Sequence, residues 1–437
     1  MSVTLFGVIW ITLLFYLFYL MQIEKIITTL FFSMVLQCNN VIVIGETGIG
    51  PQLITTFFFI ATYFFLQRNS VERKTNHSKF FLIVLFVFCF YALSNALILN
   101  IEGGKFMEIA SLYIYLFASV CLYDLRACIS DNFIWIVIKK LYIFLVIAGG
   151  LQFLSTTGVI PKWLLSEFLF NDKSEYVYYH VNYFYPRVTS TFMEPSYFSS
   201  IFCGLLISMI YNRRKLRYPN LLIIVGVVEL LLTVSTTGYL TFLCGLIFLM
   251  LLDSSNDKLV KYLPIFMFVV FFVFAFWDTV IQDVIVNKME SESGVERQRW
   301  NLMAIDAFQS KPIFGDGYGK LRASSLPLTI LANLGIVGLF VYYLSIIHGL
   351  APIFILKNKE MRMLIVSRLI MFCVVISQII ACPDLTLCTF WLSVYIIAVT
   401  RKTYSMLQLY KWCLVRKILF LNNWFSIDNE PNKRVIM

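Results

Sequence analysis

The chain predicts an all-α polytopic membrane protein, and three observations carry that expectation. Hydrophobic residues fill 59% of its 437 positions, charged residues only 14%, and mean hydropathy is +0.80. A soluble domain is about a quarter charged, so a chain this poor in charge cannot coat a water-facing surface. Apolar runs near the ~20 residues that cross a bilayer recur from end to end. Lys and Arg crowd into alternate connections between those runs, as the positive-inside rule requires. The 42 Phe and 24 Tyr suit a lipid-facing surface with aromatic interface belts. A soluble enzyme, a nucleic-acid binder and a disordered regulator are excluded as descriptions of the whole chain.

The runs predict spans at about 3–21, 26–44, 52–67, 80–99, 107–125, 133–157, 195–211, 221–234, 237–252, 262–280, 327–350, 363–381 and 385–400, hence about 12–13 transmembrane helices. The first lacks the basic stretch of a cleaved signal and is read as a retained span. The pair 221–234 and 237–252 is short and joined by Ser235-Thr236-Thr237, so it is tilted or partly re-entrant. This divides the chain into N-terminal helices (1–158), a first large outer loop (159–194), central helices (195–280), a second large outer loop (281–326), C-terminal helices (327–400) and a basic tail (401–437).

Of the 35 Lys and Arg, 24 lie in one set of alternate segments and ten in the other, with Arg368 inside a span. The basic set, which includes the tail, is therefore cytoplasmic. Lys411, Trp412, Arg416 and Lys417 would lie along the inner membrane surface. Fifteen acidic residues fall in the outer segments, nine in the inner ones, and Glu229 lies within a span. Glu229 and Arg368 are costly in lipid and would be functional or paired: Glu229 would line a lipid-entry cavity or stabilise a helix contact, while Arg368, near a cytoplasmic end, would otherwise snorkel. Six of the ten Cys sit inside apolar runs, no CxxC occurs and only three His are present, so no metal site is expected. Cys382 and Cys388 could pair at an outer edge, on spacing alone.

Two outer segments are long, about 36 residues at 159–194 and 46 at 281–326, so the chemistry is expected on the outer face. The first carries five Tyr between 176 and 185, among them Tyr183 and Tyr185, with His180, Arg187 and then Glu194-Pro195-Ser196. Tyr faces stack on sugar rings, and equally well form an interfacial belt. In the second, Trp300, Met303, Ala304, Ala307 and Phe308 recur at helical spacing and predict an amphipathic helix able to lie on the membrane surface. Lys311-Pro312 ends that helix. The Gly315, Gly317 and Gly319 cluster then makes a turn whose amides could face an anion. Arg297 and Arg299 occupy its first turn, where positive charge opposes the helix dipole unless an anion, or Glu296, compensates. Arg is suited to bidentate phosphate recognition, so the loop arginines suggest an anionic ligand at the outer surface, a polyprenyl pyrophosphate being the economical choice.

Four motifs in order carry a resemblance. They are Arg187 with Phe192-Met-Glu194-Pro195-Ser196-Tyr197-Phe198; Ser235-Thr-Thr-Gly238; Arg297-Gln-Arg299-Trp300 with Lys311-Pro312-Ile-Phe-Gly315-Asp-Gly317-Tyr-Gly319; and Asn333-Leu-Gly335-Ile-Val-Gly338. With them the chain resembles the O-antigen polymerase (Wzy) family, within the wider O-antigen ligase/polymerase superfamily, over roughly residues 80–400. The resemblance implies a GT-C-type glycosyltransferase of the bacterial inner membrane, with two long periplasmic loops. It would polymerise undecaprenyl-pyrophosphate-linked repeat units without metal, nucleotide sugar or other cofactor. Its partners would be the lipid-linked oligosaccharide, membrane lipid, and a chain-length regulator and flippase; no nucleic acid is expected. Arg187, Arg297 and Arg299 would hold the pyrophosphate. Glu194 would position or deprotonate the acceptor hydroxyl, or else pair with Arg187 or serve the helix N-terminus; His180 is a weaker candidate base. Tyr183, Tyr185, Trp300, Gly315 and Gly317 complete the expected substrate-binding set.

The ligase branch carries a His before the span at 327–350. Residues 321–330, Leu-Arg-Ala-Ser-Ser-Leu-Pro-Leu-Thr-Ile, contain none, which favours the polymerase. A rival of another class is a lipid-linked oligosaccharide flippase. It would need charges in its central spans and no long outer loops, the reverse of what the chain contains.

Overall fold

The computed structural model describes residues 2–45, 47–68, 80–99, 106–166, 171, 187–252, 292–350 and 362–400, with four isolated positions between 263 and 271. Expectations for the span 262–280, the tail from 401, and Tyr183, Tyr185 and His180 lie outside the described residues.

The protein is an all-α polytopic membrane protein. Its helices are α1 (Leu5–Tyr19), α2 (Ile23–Ser33), α3 (Pro51–Arg68), α4 (Phe80–Ile98), α5 (Phe106–Leu125), α6 (Asp131–Thr156), α7 (Lys162–Ser166), α8 (Pro195–Tyr211), α9 (Pro219–Leu232), α10 (Thr236–Leu252), α11 (Glu292–Ser310), α12 (Leu326–Leu350), α13 (Arg362–Ile380) and α14 (Cys388–Thr400). Over α4, α5, α6, α12 and α13 the apolar length suffices to cross a bilayer; α1, α3, α8, α9, α10 and α14 are shorter apolar helices. Local chemistry sets several starts. Thr4 accepts from the Gly7 amide and Ser130 from the Phe133 amide, each satisfying a first-turn donor, while Pro195 and Pro219 open α8 and α9 where no amide is needed.

α8 is the hub. Its residues from Pro195 to Ile210 are buried without interruption, as expected of a helix apolar all round. It packs against α6, α9, α10 and α13. At Gly204 the α13 backbone comes so near that an added Cβ would lie 2.7 Å from Ile370 Cα, the close approach small residues allow between membrane helices.

One expectation is corrected and two open alternatives are decided. The run 26–44 is not one span: α2 stops at Ser33, and Ile42–Ile44 forms a strand pairing antiparallel with Ser2–Val3 and with Thr47–Ile49. The intervening stretch is held by residues distant in sequence. The Cys38 amide donates to the Thr191 carbonyl (3.2 Å), and Asn171 bonds both backbone groups of Asn40. Second, Arg368 does not snorkel. It is fully buried, donating to the Gly349 carbonyl (3.1 Å) and Ser367 Oγ (2.8 Å). Third, Cys382 and Cys388 are free thiols. Glu229 sits at a helix contact, its carboxylate against Gly149 of α6.

α12 is broken at Gly335, whose φ of 65° and ψ of −168° belong to a region open essentially to glycine. The Gly-rich segment after α11 fills the break. Amides of Asp316 and Gly317 donate to the carbonyls of Ala332 (2.8 Å) and Asn333 (3.1 Å), and the Ile336 amide donates to Pro312 (2.9 Å). From α4, Asn95 donates to the Phe314 carbonyl and accepts from the Tyr318 amide, each at 2.8 Å. The backbone groups freed by the break are thus re-satisfied by protein, which a membrane interior demands.

Candidate functional site at the loop face

The starts of α8, α10, α12 and α14 and the ends of α4, α6, α9 and α13 gather at one face, where the described parts of both long loops also lie. Arg322, between α11 and α12, meets Asp384, in the short connection between α13 and α14. Its Nε donates to Asp384 Oδ1 and its Nη2 to Oδ2, both at 3.0 Å, in the two-pronged geometry that suits a guanidinium and a carboxylate. Nη2 also donates to the Tyr197 hydroxyl at 2.8 Å, and that hydroxyl donates to Asp384. Arg322 Nη1 makes no hydrogen bond among the described residues, and the side chain is 54% exposed. Burial alone would lower its pKa; the hydrogen bond and charge of Asp384 outweigh that and raise it, so the cation is permanent.

The backbone around Arg322 is pinned. Asn333 of α12 bonds both the amide (2.9 Å) and carbonyl (2.7 Å) of Leu321. Thr329 accepts from the Ala323 amide (3.1 Å), and Asn301 of α11 accepts from Ser324 through amide (3.0 Å) and hydroxyl (2.8 Å). Donors fixed in this way cost no reorganisation when charge develops nearby.

Further groups complete the cluster. Glu194 is the N-cap residue of α8, with Ser196 Oγ donating to its Oε2 at 3.0 Å; a carboxylate there is favoured by the helix dipole. Its charge acts on Arg322 and on Cys382. Burial pushes the Cys382 thiol up, Glu194 and Asp384 push it further, and Arg297 opposes them. On α11, Asn301 lies one turn beyond Arg297 and bonds Ser324, two residues from Arg322, which sets that face of the helix beside the cluster.

α11 separates the two sequence-predicted arginines. Its inner face runs through half-buried Arg297, Trp300 and Asn301, buried Ala304 and half-buried Ala307, at the helical spacing expected. Arg299, two residues from Arg297, is turned to the exposed face with Leu302 and Met303. Arg187 is half-buried and donates through Nε to the Thr233 carbonyl (3.2 Å) and through Nη2 to the Val234 carbonyl (2.9 Å). A cation at the C-terminal end of α9 is favoured by that helix's dipole. The Gly315 and Gly317 amides, expected to face an anion, donate to the carbonyls of Lys311 (3.0 Å) and Asn333 (3.1 Å). The Asp316 side chain between them bonds Lys311 at 2.6 Å and lies 3.8 Å from Lys320. The Lys311 hydrogen bond lowers its pKa, aided by both lysine charges and opposed by slight burial.

Arg322 and Asp384 were not singled out from sequence, and Tyr197 entered only as a member of the Glu194 motif. Their signals were present: a further arginine in the long second loop, and an acidic residue alone in a short outer connection. No group of three or more His, Cys, Asp or Glu that could hold a metal occurs among the described residues.

The fold and the site define a multi-pass membrane protein with a preorganised cluster of paired and open charges at one membrane face. Residues 220–343 match the family model described as O-Antigen ligase. That segment takes in α9, α10, α11, the Gly-rich loop, Arg322 and the break in α12; Arg187, Glu194, Tyr197 and Asp384 lie beyond it. The match supports a membrane glycosyltransferase-like enzyme of the O-antigen ligase/polymerase superfamily, for which lipid-linked oligosaccharide and membrane lipid are the implied partners. No curated protein matches the chain.

Proposed function

We propose that the protein is a polysaccharide polymerase of the periplasmic face of the bacterial inner membrane, its C-terminus cytoplasmic, acting on undecaprenyl-pyrophosphate-linked repeat units. The observation that supports this best is the convergence of Arg297 and Arg322 with Glu194 and Asp384 where the long loops meet the helix ends. In the reaction, an acceptor hydroxyl oxygen attacks the anomeric carbon of the donor. The bond from that carbon to the pyrophosphate oxygen breaks, and its electron pair leaves with the pyrophosphate. Arg297 and the open edge of Arg322 stabilise the charge gathering there. The Glu194 carboxylate takes the hydroxyl proton. Arg187 anchors the first loop to the end of α9.

A ligase is the second reading, favoured by the description of the matching family model. Against it stands the position of the described histidine. His348 is near the far end of α12, its ring 4.4 Å from that of Phe80, and residues 321–330 carry no His.

The test is the polysaccharide ladder of cells lacking the gene, complemented with wild type, Arg297→Ala or Arg322→Ala. A wild-type ladder that collapses to core plus one repeat in the deletion and in both variants is the expected result. Loss of the single-repeat band as well would make the protein a ligase. Repeat units trapped on the cytoplasmic side would make it a flippase.

A further inference from the structure

The turn between α8 and α9 lies at the end of the bundle opposite the loop face, and it is held from within. Asn212 and Leu216 are buried. The Lys215 amide donates to the Asn212 carbonyl (2.8 Å) and the Leu216 amide to the Arg213 carbonyl (3.2 Å). From α6, the Tyr142 hydroxyl donates to the Leu222 carbonyl (2.6 Å) and ties the first turn of α9 to its neighbour. With its backbone fixed, the turn leaves Arg213, Arg214, Lys215 and Arg217 exposed.

These four cations stand within five residues. No Asp or Glu occurs from 195 to 228, and none of the four makes an ion pair among the described residues. Arg217 instead lies over the Tyr218 ring, 5.2 Å from its centroid. The C-terminal end of α8 favours positive charge, but four cations so close repel one another unless an anion bridges them. Guanidinium groups suit a phosphate.

The adjoining face of α9 says which phosphate. Tyr218, Leu221, Ile224, Val225 and Val228 recur at helical spacing and are all exposed. From Tyr218 to Val228 the stripe runs ~15 Å at 1.5 Å per residue, half of the ~30 Å hydrocarbon core and so the depth of one leaflet. Tyr218, an aromatic residue suited to the membrane interface, stands where the stripe meets the cations. A soluble phosphate would use the cations alone, and an acidic protein or nucleic acid has no use for an apolar stripe of leaflet depth. A phospholipid needs both parts, in this order.

We propose that this turn and stripe form a binding site for an anionic phospholipid, its headgroup phosphate held by Arg213, Arg214, Lys215 and Arg217 and its acyl chains laid along α9. The site is remote from the loop face and stands or falls apart from the glycosyl-transfer reading.

The test is native mass spectrometry of the full-length protein released from detergent micelles. It is titrated with dioleoyl phosphatidylglycerol or dioleoyl phosphatidylcholine, which share tails and differ in net charge. A cation near an anionic headgroup adds roughly fivefold, so phosphatidylglycerol should bind at least about tenfold more tightly. Arg213→Gln/Arg214→Gln/Lys215→Gln/Arg217→Gln should bring the two lipids to within about twofold. The charge-matched variant Arg401→Gln/Lys402→Gln/Lys411→Gln/Arg416→Gln should keep most of the preference. Glycerol phosphate, a headgroup without tails, should not displace the lipid at equal concentration. The pairs Arg213→Gln/Arg214→Gln and Lys215→Gln/Arg217→Gln should each remove part of the preference, and they decide the matter if the fourfold variant fails to fold. Equal affinity for the two lipids, a preference that survives these changes, an equal loss in the charge-matched variant, or displacement by glycerol phosphate would each overturn the site.

Discussion

Replacing Arg322 with Ala separates a catalytic electrostatic role from a structural one. The substitution removes three hydrogen bonds, two to Asp384 and one to Tyr197. Were the pair fully buried, stranding Asp384 would cost ~3–5 kcal/mol. Arg322 is 54% exposed and Asp384 32%, so water takes over much of that loss and the expected destabilisation is ~1 kcal/mol, a drop of a few degrees in Tm. The effect on transfer is larger, because a pinned donor aimed at developing charge is worth ~2.7–4 kcal/mol, or a rate factor of ~10²–10³. Arg322→Lys keeps the charge but not the fork, and should recover roughly tenfold of the lost rate. The assay is extension of purified lipid-linked repeats by the protein in nanodiscs, with thermal unfolding measured on the same preparations. Transfer by Arg322→Ala within about threefold of wild type would refute the reasoning, given the ~10²–10³ expected. A Tm collapse that accounts for the lost activity would refute it too.

The remaining predictions are smaller in scope. Arg297→Ala should reduce ladder formation more than Arg299→Ala, because only Arg297 lies on the inner face of α11; the reverse order would remove Arg297 from the anion site. Gly335→Ala should lower stability by at least ~1–3 kcal/mol, since φ of 65° with ψ of −168° suits glycine and an added Cβ would strike the Ile313 carbonyl. An unchanged unfolding midpoint would argue against the break. Asp316→Asn should destabilise by under ~1 kcal/mol at pH 7, the pair with Lys311 being half-exposed. Because the folded-state pKa is lowered, that contribution is present above the unfolded value of about 4 and disappears as pH falls through the folded one, so variant and wild type should converge in acid, below the folded-state pKa. A gap that widens in acid would contradict the assigned sign.

Some of this was legible residue by residue. Glu194-Pro195 marked the start of α8, and Lys311-Pro312 marked the end of α11 within two residues. The alternation of apolar runs with basic segments anticipated the helices on either side. These are one-dimensional signals, because the cost of exposing a peptide group or burying a charge in lipid is incurred by each segment on its own. The same logic misread the run from 26 to 44. An apolar stretch shielded by other protein need not be helical, and this one is held by Thr191 and Asn171, far away in sequence.

The composition and charge pattern by themselves determined that the chain is a polytopic helical membrane protein. Tertiary structure decided which charged groups come together at the loop face. Arg297 and Arg299 are equivalent as letters, yet the 3.6-residue period of α11 places the first on its half-buried face and the second on its exposed one. The glycines of the second loop looked like an anion cradle; the break at Gly335 claims the Gly317 amide for its own carbonyls. Arg322 and Asp384, 62 residues apart, have no mutual signal in the sequence, because their pairing follows from how α12, α13 and α14 pack around α8 and not from any local preference of the chain.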